Sequence, residues 1–427
     1  MTTSWEKFPY GPWKATTVVP QTPPPESSRI PPSVRPVSGD GVRQRPVFDP
    51  SLQHYALGMR LSEPEFVDPG LAERWLAARR DAVDLILAAI ADSPWSQHLM
   101  LRGSVLLRAW FGEMAREPGD IDFVVVPTEW RVDDDRAARM LDDIAERAQA
   151  TAENTAVRIH ADGRAETDIW TYDRVPGRRL VLPWSSTTPG VPAGSIQLDF
   201  VFNEALPVEP VHAEVARVGR PGPPAHLLTA GLELSLAWKL QWLSTDIYPQ
   251  GKDLFDALLL AEHCHLPADL LRGVLEPHGD WTSHVWGALP YVAATTDWDE
   301  FGKDYPHLAG ELDVFTWRLM TALAPSFDAG FHRLPAEMLA SGNYSRIEDV
   351  AAAYAQTGAA AVLAAFSRRG LCTLELVVLL RELLGPASSF ADAATLPTNL
   401  REQGFTTAVP ARVDPGTVAA ALEGSSR

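Results

Sequence analysis

Two aspartates separated by one residue stand where an apolar segment begins, and together they could hold a metal ion. They are Asp120 and Asp122, and the run from Ile121 to Val126 is rich in β-branched and aromatic residues, which predicts a strand. Alternate side chains of a strand project from one face about 7 Å apart, so the pair can grip one or two hard cations. A third carboxylate, Asp199, lies in a later apolar run and could complete the site from a neighbouring strand, either as a metal ligand or as a general base.

The surroundings distinguish this pair from the other Asp-x-Asp patterns of the chain. The same spacing occurs at 133–135 and 297–299, and solvated loop charges are the alternative interpretation of any such pattern. Only the first pair leads into an apolar strand, follows a Gly-Ser step and is matched by a later carboxylate in a hydrophobic run. Because burying carboxylates without a cation or donor is unfavourable, catalysis is favoured over a structural explanation.

A glycine–serine step, Gly103-Ser104, precedes Asp120 with fifteen residues between them. Gly103 would let the backbone approach a phosphate without a Cβ clash, while Ser104 and the first N–H groups of a predicted helix at Val105–Phe111 would donate hydrogen bonds to it. Two Mg²⁺ ions held by the aspartates would bridge a nucleoside triphosphate and neutralise the charge on the transferred phosphoryl group. The combination therefore indicates a nucleotide site that depends on one or two Mg²⁺ ions.

The elements that must position these residues change in kind along the chain. Helices alternate with strands from about Leu71, several short strands follow, and after Pro221-Gly222-Pro223-Pro224 the chain reads as almost wholly helical to about Leu384. This predicts an α/β (α+β) fold with a mixed β-sheet flanked by helices, followed by an α-helical C-terminal lobe. The predicted domains are a disordered proline-rich arm at 1–60, a catalytic domain at 61–222, a helical domain at 223–390 and a tail at 391–427, which contains a weak helix at Gly416–Leu422.

Composition excludes several classes of protein. The 427 residues carry a formal charge of −18, which opposes tight non-specific binding to nucleic acid over the whole surface. The two cysteines cannot form a disulfide scaffold or a zinc site and suit a reducing cytosol. No signal peptide or membrane anchor is readable, and the alanine-rich stretch Val350–Ser367 is better read as a buried helix pair than as a membrane span. P-loop, GxGxxG, GxSxG and HExxH motifs are absent from the sequence.

The combined pattern resembles the AbiEii/AbiGii-type nucleotidyltransferases, which are the toxin halves of bacterial type IV toxin–antitoxin and abortive-infection systems within the polymerase-β-like superfamily. The resemblance spans about residues 98 to 264. Four blocks carry it: Arg102-Gly103-Ser104, Arg116 with Asp120-Ile121-Asp122-Phe123, Glu233-x5-Lys239, and Lys252-Asp253-Leu254-Phe255-Asp256. The last block has lysine where the family has arginine, and the gap between the first two is longer than usual.

This resemblance implies a role for each matched residue. Nucleotide binding falls to Arg102, Gly103, Ser104 and Lys239, and catalysis to Asp120, Asp122 and Asp253. Asp199 lies outside the four blocks, and its apolar run adds it to the predicted catalytic residues and, with Asp120 and Asp122, to the predicted Mg²⁺ ligands. Support comes from Arg116, Glu233, Lys252 and Asp256.

The residues themselves leave alternatives open for several of these roles. Lys239 lies on an apolar helix, where an ammonium is unfavourable unless it meets an anion; that anion could be a triphosphate, Glu233 or Asp253, or the side chain could extend to solvent. Asp253 could equally belong to a helix N-terminal charge cluster. The two arginines, Arg102 and Arg116, could clamp phosphates or pair with surface acids.

The resemblance further implies a cytoplasmic, Mg²⁺-dependent enzyme that moves a nucleoside monophosphate from a nucleoside triphosphate to an acceptor hydroxyl. The acceptor would be tRNA or another component of translation, and a cognate antitoxin would restrain the enzyme, with no membrane partner. Two alternatives remain open at this stage. One is an antibiotic- or small-molecule-modifying nucleotidyltransferase with the same metal site, and the other is a catalytically silent nucleotide-binding scaffold.

Overall fold

The computed structural model describes residues 30–52, 54–55, 58–171, 175–275, 295–323 and 388–402, together with short or single positions elsewhere. The first 29 residues of the predicted arm, the predicted helix pair at 350–367 and nearly all of the weak helix predicted at 416–422 lie outside the described residues. Among the residues that are described, no helix is both long enough and apolar enough to cross a bilayer.

The helices of the described ranges are α1 (Pro69–Ala91), α2 (Ser104–Phe111), α3 (Asp135–Thr151), α4 (Leu232–Thr245), α5 (Gly251–Ala261), α6 (Ala268–Leu275), α7 (Trp298–Asp304), α8 (Leu312–Leu323) and α9 (Phe390–Glu402). The strands are β1 (Val42–Arg43), β2 (Pro46–Phe48), β3 (Met59–Leu61), β4 (Glu65–Phe66), β5 (Leu99–Arg102), β6 (Ile121–Val125), β7 (Val157–Ile159), β8 (Ala165–Thr171), β9 (Val175–Ser186), β10 (Gly194–Val201), β11 (Val211–Val215) and β12 (Ala225–Thr229). The predicted strands at 121–126, 156–160, 168–172, 179–183 and 195–202 each overlap an observed strand.

Eight of these strands form one sheet in the order β11-β12-β5-β6-β10-β9-β7, with β8 added to β9. β10 runs parallel to β6 and β12 runs parallel to β5, whereas the other pairs are antiparallel. The predicted mixed α/β architecture is thereby confirmed. In the centre of the sheet, the rings of Phe123 and Phe200 stack with their centroids 5.6 Å apart.

Helices α1 and α3 cover the apolar core of this sheet. α1 begins at an N-cap, where the backbone N–H of Gly70 donates to Asp68 Oδ1 at 2.9 Å, and Pro69 fills the first turn, where an N–H has no helical partner. From there its buried residues recur at helical spacing, and Ile86 and Ile90 are completely buried against the sheet core.

Residues 42–52 and 58–61 of the predicted disordered arm form β1, β2, β3 and a 3₁₀ turn at Pro50–Leu52, so this part of the arm is ordered. β2 pairs with β3, and Leu52 and Met59 are completely buried. The many prolines of the whole arm favour disorder, but burial of a short cluster of apolar residues orders this part of it.

The chain divides into two compact units. The first consists of Met1–Ser235, Asp246–Tyr248 and Asp299–Leu308, and the second of Leu236–Thr245, Pro249–Trp298 and Ala309–Arg427. In the second unit α5 packs against α8, with the rings of Phe255 and Phe315 6.0 Å apart. The boundaries predicted at 60, 222 and 390 remain predictions.

Residues 299–308 belong to the first unit, and two of their acidic side chains pair with arginines from the N-terminal part of that unit. Arg45 forms ion pairs with Glu300 and, at 2.7 Å, with Asp304. Arg60 lies 3.3 Å from Asp304. The first unit is thus assembled from stretches that are distant in sequence.

Candidate functional site

The three carboxylates predicted as metal ligands lie together. Asp120 precedes β6, and the parallel register of β6 and β10 pairs Asp122 with Asp199. One oxygen from each carboxylate lies within 4.8 Å of the other two. Asp199 is 7% exposed, while the other two are half-buried. Within the described ranges, no other group of three acidic, histidine or cysteine ligands comes this close.

A buried arginine that the sequence did not single out holds Asp199. Arg179 stands opposite Asp199 in the register of β9 and β10, and it donates from Nε to Oδ1 at 2.8 Å and from Nη2 to Oδ2 at 2.9 Å. Its Nη1 donates to Asp49 at 2.7 Å and its Nη2 to Ser51 at 3.1 Å. The amide of Gln197 also donates to Asp199 Oδ2, at 3.2 Å. The only feature of the sequence that could have indicated a role for Arg179 is its charge inside an apolar strand. No feature of the sequence indicates a role for Asp49.

These buried charges shift one another's pKa values. Burial raises the pKa of Asp199, and the negative charge of Asp120 raises it further, whereas Arg179 acts to lower it. Burial would also raise the pKa of Asp49, but Arg179 outweighs it and lowers that pKa to about 2. Burial acts to lower the pKa of Arg179 itself, yet its two carboxylate partners raise it overall, so the guanidinium stays charged.

Gly103 lies directly against Asp122. Its backbone has φ +80° and ψ −155°, and a Cβ at this position would lie 2.3 Å from Asp122 Oδ2 and 3.1 Å from Asp122 Cγ. Only glycine fits such a close approach in this conformation. α2 begins at the next residue, Ser104, whose hydroxyl lies 3.5 Å from Asp120 Oδ1, at the long limit of a hydrogen bond. The Gly-Ser step and the aspartates are therefore neighbours in space, as the sequence predicts.

The two predicted arginines are both buried and paired. Arg102 is 2% exposed, and its Nη1 lies 3.4 Å from Glu204. Arg116 forms a hydrogen bond with the Tyr305 hydroxyl, which itself donates to the carbonyl of Glu117 at 3.1 Å. Burial raises the pKa of Tyr305 to about 12, although Arg116 acts to lower it.

Lys239 meets carboxylates of its own chain in the second unit. Its Nζ lies 2.7 Å from Asp253 Oδ1 and 2.9 Å from Asp256 Oδ2, and all three side chains are buried. The ammonium also lies 4.9 Å from the ring centroid of Trp242. Of the alternatives that the sequence left open for Lys239, pairing with Asp253 is the one observed.

The other two supporting residues, Glu233 on α4 and Lys252 on α5, are half-buried.

Comparison with known proteins connects this geometry to a family. A search of curated proteins gives no match. The profile of one family, described as the nucleotidyl transferase AbiEii toxin of type IV toxin–antitoxin systems, matches residues 85–332. This stretch exceeds half of the chain, and it contains the three clustered aspartates, Arg179 and the Lys239 pair, but not Asp49. The chain therefore belongs to the AbiEii family of nucleotidyltransferase toxins from type IV toxin–antitoxin systems.

Proposed function

We propose that this chain transfers a nucleoside monophosphate from a nucleoside triphosphate to an acceptor hydroxyl and releases pyrophosphate, with Asp120, Asp122 and Asp199 as the Mg²⁺ ligands. The convergence of their oxygens within 4.8 Å, inside the segment that matches the family, carries the proposal. An all-oxygen, carboxylate-rich set of ligands suits a hard cation such as Mg²⁺.

The chemistry divides between the cation and the protein. Mg²⁺, when bound, supplies charge neutralisation at the phosphates and lowers the pKa of an attacking hydroxyl. Asp120 and Asp122 are half-buried and can face it directly. Asp199 has roughly four lone-pair positions, three of which accept hydrogen bonds from Arg179 and Gln197, so one direction on Oδ1 is left for a cation. This favours Asp199 as a single-oxygen ligand over the alternative role of general base.

Phosphate binding is assigned to Gly103 and Ser104. The N-terminus of α2 opens beside Asp122, and helix N-termini with a preceding glycine favour anionic groups. Arg102 is buried against Glu204, which favours a structural role linking β5 to the segment after β10. A nucleotide-binding role for Lys239 and a catalytic role for Asp253 remain predictions from the family resemblance.

Membership of a type IV toxin–antitoxin family implies an antitoxin partner and a nucleoside triphosphate substrate. We propose tRNA as the acceptor. The net charge of −18 opposes long-range attraction of RNA, so recognition of tRNA would depend on local contacts near its 3′ end.

The test supplies each of the four α-labelled nucleoside triphosphates to the full chain with Mg²⁺ and either total tRNA or aminoglycosides. The variant Asp122→Ala removes a proposed ligand. Asp133→Ala is the matched control, since Asp133 also belongs to an Asp-x-Asp pattern but is exposed and is not one of the clustered carboxylates. We expect label on tRNA with the wild type and Asp133→Ala, and none with Asp122→Ala.

Other results would contradict either the tRNA acceptor or the catalytic role. Label on aminoglycosides alone would replace tRNA by a small-molecule acceptor. Nucleotide binding without pyrophosphate release would refute catalysis and indicate a scaffold. In a bacterial host, induced wild type should arrest growth and alter tRNA 3′ ends, and Asp122→Ala should do neither.

A further inference from the structure

We propose that Asp49 and Arg179 are positioning residues of the catalytic centre. The N-terminal segment at Pro46–Leu52, which carries Asp49, would then contribute to catalysis. The inference rests on the proposed function and deepens it. Asp49 binds Arg179, and Arg179 orients the third metal ligand, Asp199. Of these three residues, Asp49 lies outside the family-matched segment.

The first step is the grip of Arg179 on Asp199. Arg179 is 3% exposed, and its planar guanidinium donates to both oxygens of Asp199, which fixes the plane of the carboxylate as well as its position. Asp122 stands on the neighbouring strand and Asp120 directly before it, so the angle of that plane decides whether Oδ1 faces them. A bond to only one oxygen would leave the carboxylate free to turn.

The second step is the hold of Asp49 on Arg179. Asp49 Oδ1 accepts from the backbone N–H and the hydroxyl of Ser51, at 3.0 and 2.7 Å, which leaves Oδ2 to accept from Arg179 Nη1 at 2.7 Å. The hydroxyl of Ser51 accepts in turn from Arg179 Nη2. The guanidinium is thus clamped between two carboxylates on opposite sides, and neither end can shift without breaking buried charge-assisted bonds.

The third step is the anchoring of the segment that carries Asp49. The backbone N–H of Asp49 donates to the carbonyl of Gly58 at 3.1 Å, Leu52 is completely buried, and the ring of Phe48 packs edge-on against Tyr248 at 5.0 Å. Asp49 precedes residue 85, where the family match begins. This chain therefore supplies part of the support for a family site from residues that the family profile does not include.

Outer groups that orient a metal ligand typically change metal affinity or activity by about 10-fold to 100-fold when they are removed. Asp49→Asn keeps the size of the side chain but removes its charge. Arg179→Lys keeps the charge but removes the bidentate hydrogen bonding to both oxygens of Asp199. Arg178→Met is the matched control, because Arg178 is the adjacent residue of β9, projects to the other face of the sheet and pairs with Asp168 at 2.9 Å.

The experiment titrates Mn²⁺ into each full-length variant by calorimetry and measures pyrophosphate release as a function of Mg²⁺ and nucleotide, with circular dichroism to verify folding. We expect Asp49→Asn and Arg179→Lys to bind Mn²⁺ about 10-fold to 100-fold more weakly, with Arg178→Met unchanged. We also expect kcat to fall while the KM for nucleotide stays within about twofold, since the lost group orients a ligand and does not contact the nucleotide.

Mn²⁺ binding by folded Asp49→Asn that equals wild-type binding would overturn the inference, whatever Arg179→Lys does. If the wild type releases no pyrophosphate, the proposed function fails, but a weaker Mn²⁺ affinity of Asp49→Asn still supports the inference. If the wild type binds Mn²⁺ no better than Asp122→Ala, both fail.

Discussion

Replacing Gly103 by alanine should damage the site through two separate effects. The first is conformational, because φ +80° with ψ −155° is a backbone region that is essentially restricted to glycine. The second is steric, because the new Cβ would lie 2.3 Å from Asp122 Oδ2. A control for the positive φ alone is Gly190→Ala, where φ is +79° and nothing lies within 4 Å of the added Cβ.

The magnitudes of the two effects differ enough to be separated. Gly190→Ala should lower the free energy of unfolding by about 1–2 kcal/mol, the typical penalty of a positive φ. Gly103→Ala carries about 1–3 kcal/mol of backbone strain and about 1–3 kcal/mol of overpacking. The overpacking has no easy relief, since Asp122 Cγ and Cβ lie 3.1 and 3.2 Å from the new methyl group. The clash can be relieved only if the Asp122 carboxylate rotates away from Asp120 and Asp199.

The assay is urea unfolding of both glycine variants, alone and combined with Asp122→Ala, with Mn²⁺ binding measured in parallel. Removing the Asp122 carboxylate should recover most of the overpacking in Gly103→Ala and nothing in Gly190→Ala, a coupling that a double-mutant cycle isolates. Mn²⁺ affinity should fall at least about tenfold in Gly103→Ala only. Equal destabilisation by the two glycine variants, without coupling to Asp122, would refute the reasoning.

Three further predictions concern buried charges and hydroxyls, all measured as free energies of unfolding in urea. Lys239→Met should lose about 3–5 kcal/mol, because it leaves Asp253 and Asp256 buried without their cation; unchanged stability would contradict this pairing. The pKa of Asp49, lowered from 3.8 to about 2, should stabilise the wild type over Asp49→Asn above pH 4 by about 2–3 kcal/mol. That advantage should vanish as the pH falls towards 2, and a flat difference would be evidence against it. Tyr305→Phe should lose about 1–3 kcal/mol, since the hydroxyl donates to a backbone carbonyl and accepts from buried Arg116; full stability would argue against these bonds.

The centre of the sheet and its aspartates could be predicted because their signals are local. Asp120 and Asp122 stand at strand spacing, and the apolar residues after them identify β6. Asp199 occupies a similar run, and parallel pairing of the two strands brings the carboxylates together. Gly103 was predicted to lack a Cβ so that the backbone could approach a phosphate. In the structure, the position that a Cβ would occupy lies against Asp122.

The groups around the aspartates could not be predicted because they depend on contacts between distant parts of the chain. Arg179 and Asp49 are 130 residues apart in sequence, and no spacing rule connects them. The composition of the arm predicts disorder at Pro46–Leu52, but the burial of a few apolar side chains gives this segment a defined structure. Lys239 could be recognised as a buried cation in need of an anion, and Asp253 was among the candidates. That it pairs with both Asp253 and Asp256 depends on how the folded chain places these side chains.

The assembly of the first unit from three separate stretches limits how the protein can be shortened for expression. A truncation after Ser235 would remove Glu300 and Asp304, so Arg45 and Arg60 would lose their carboxylate partners. A shortened form of the first unit therefore has to extend at least to Leu308.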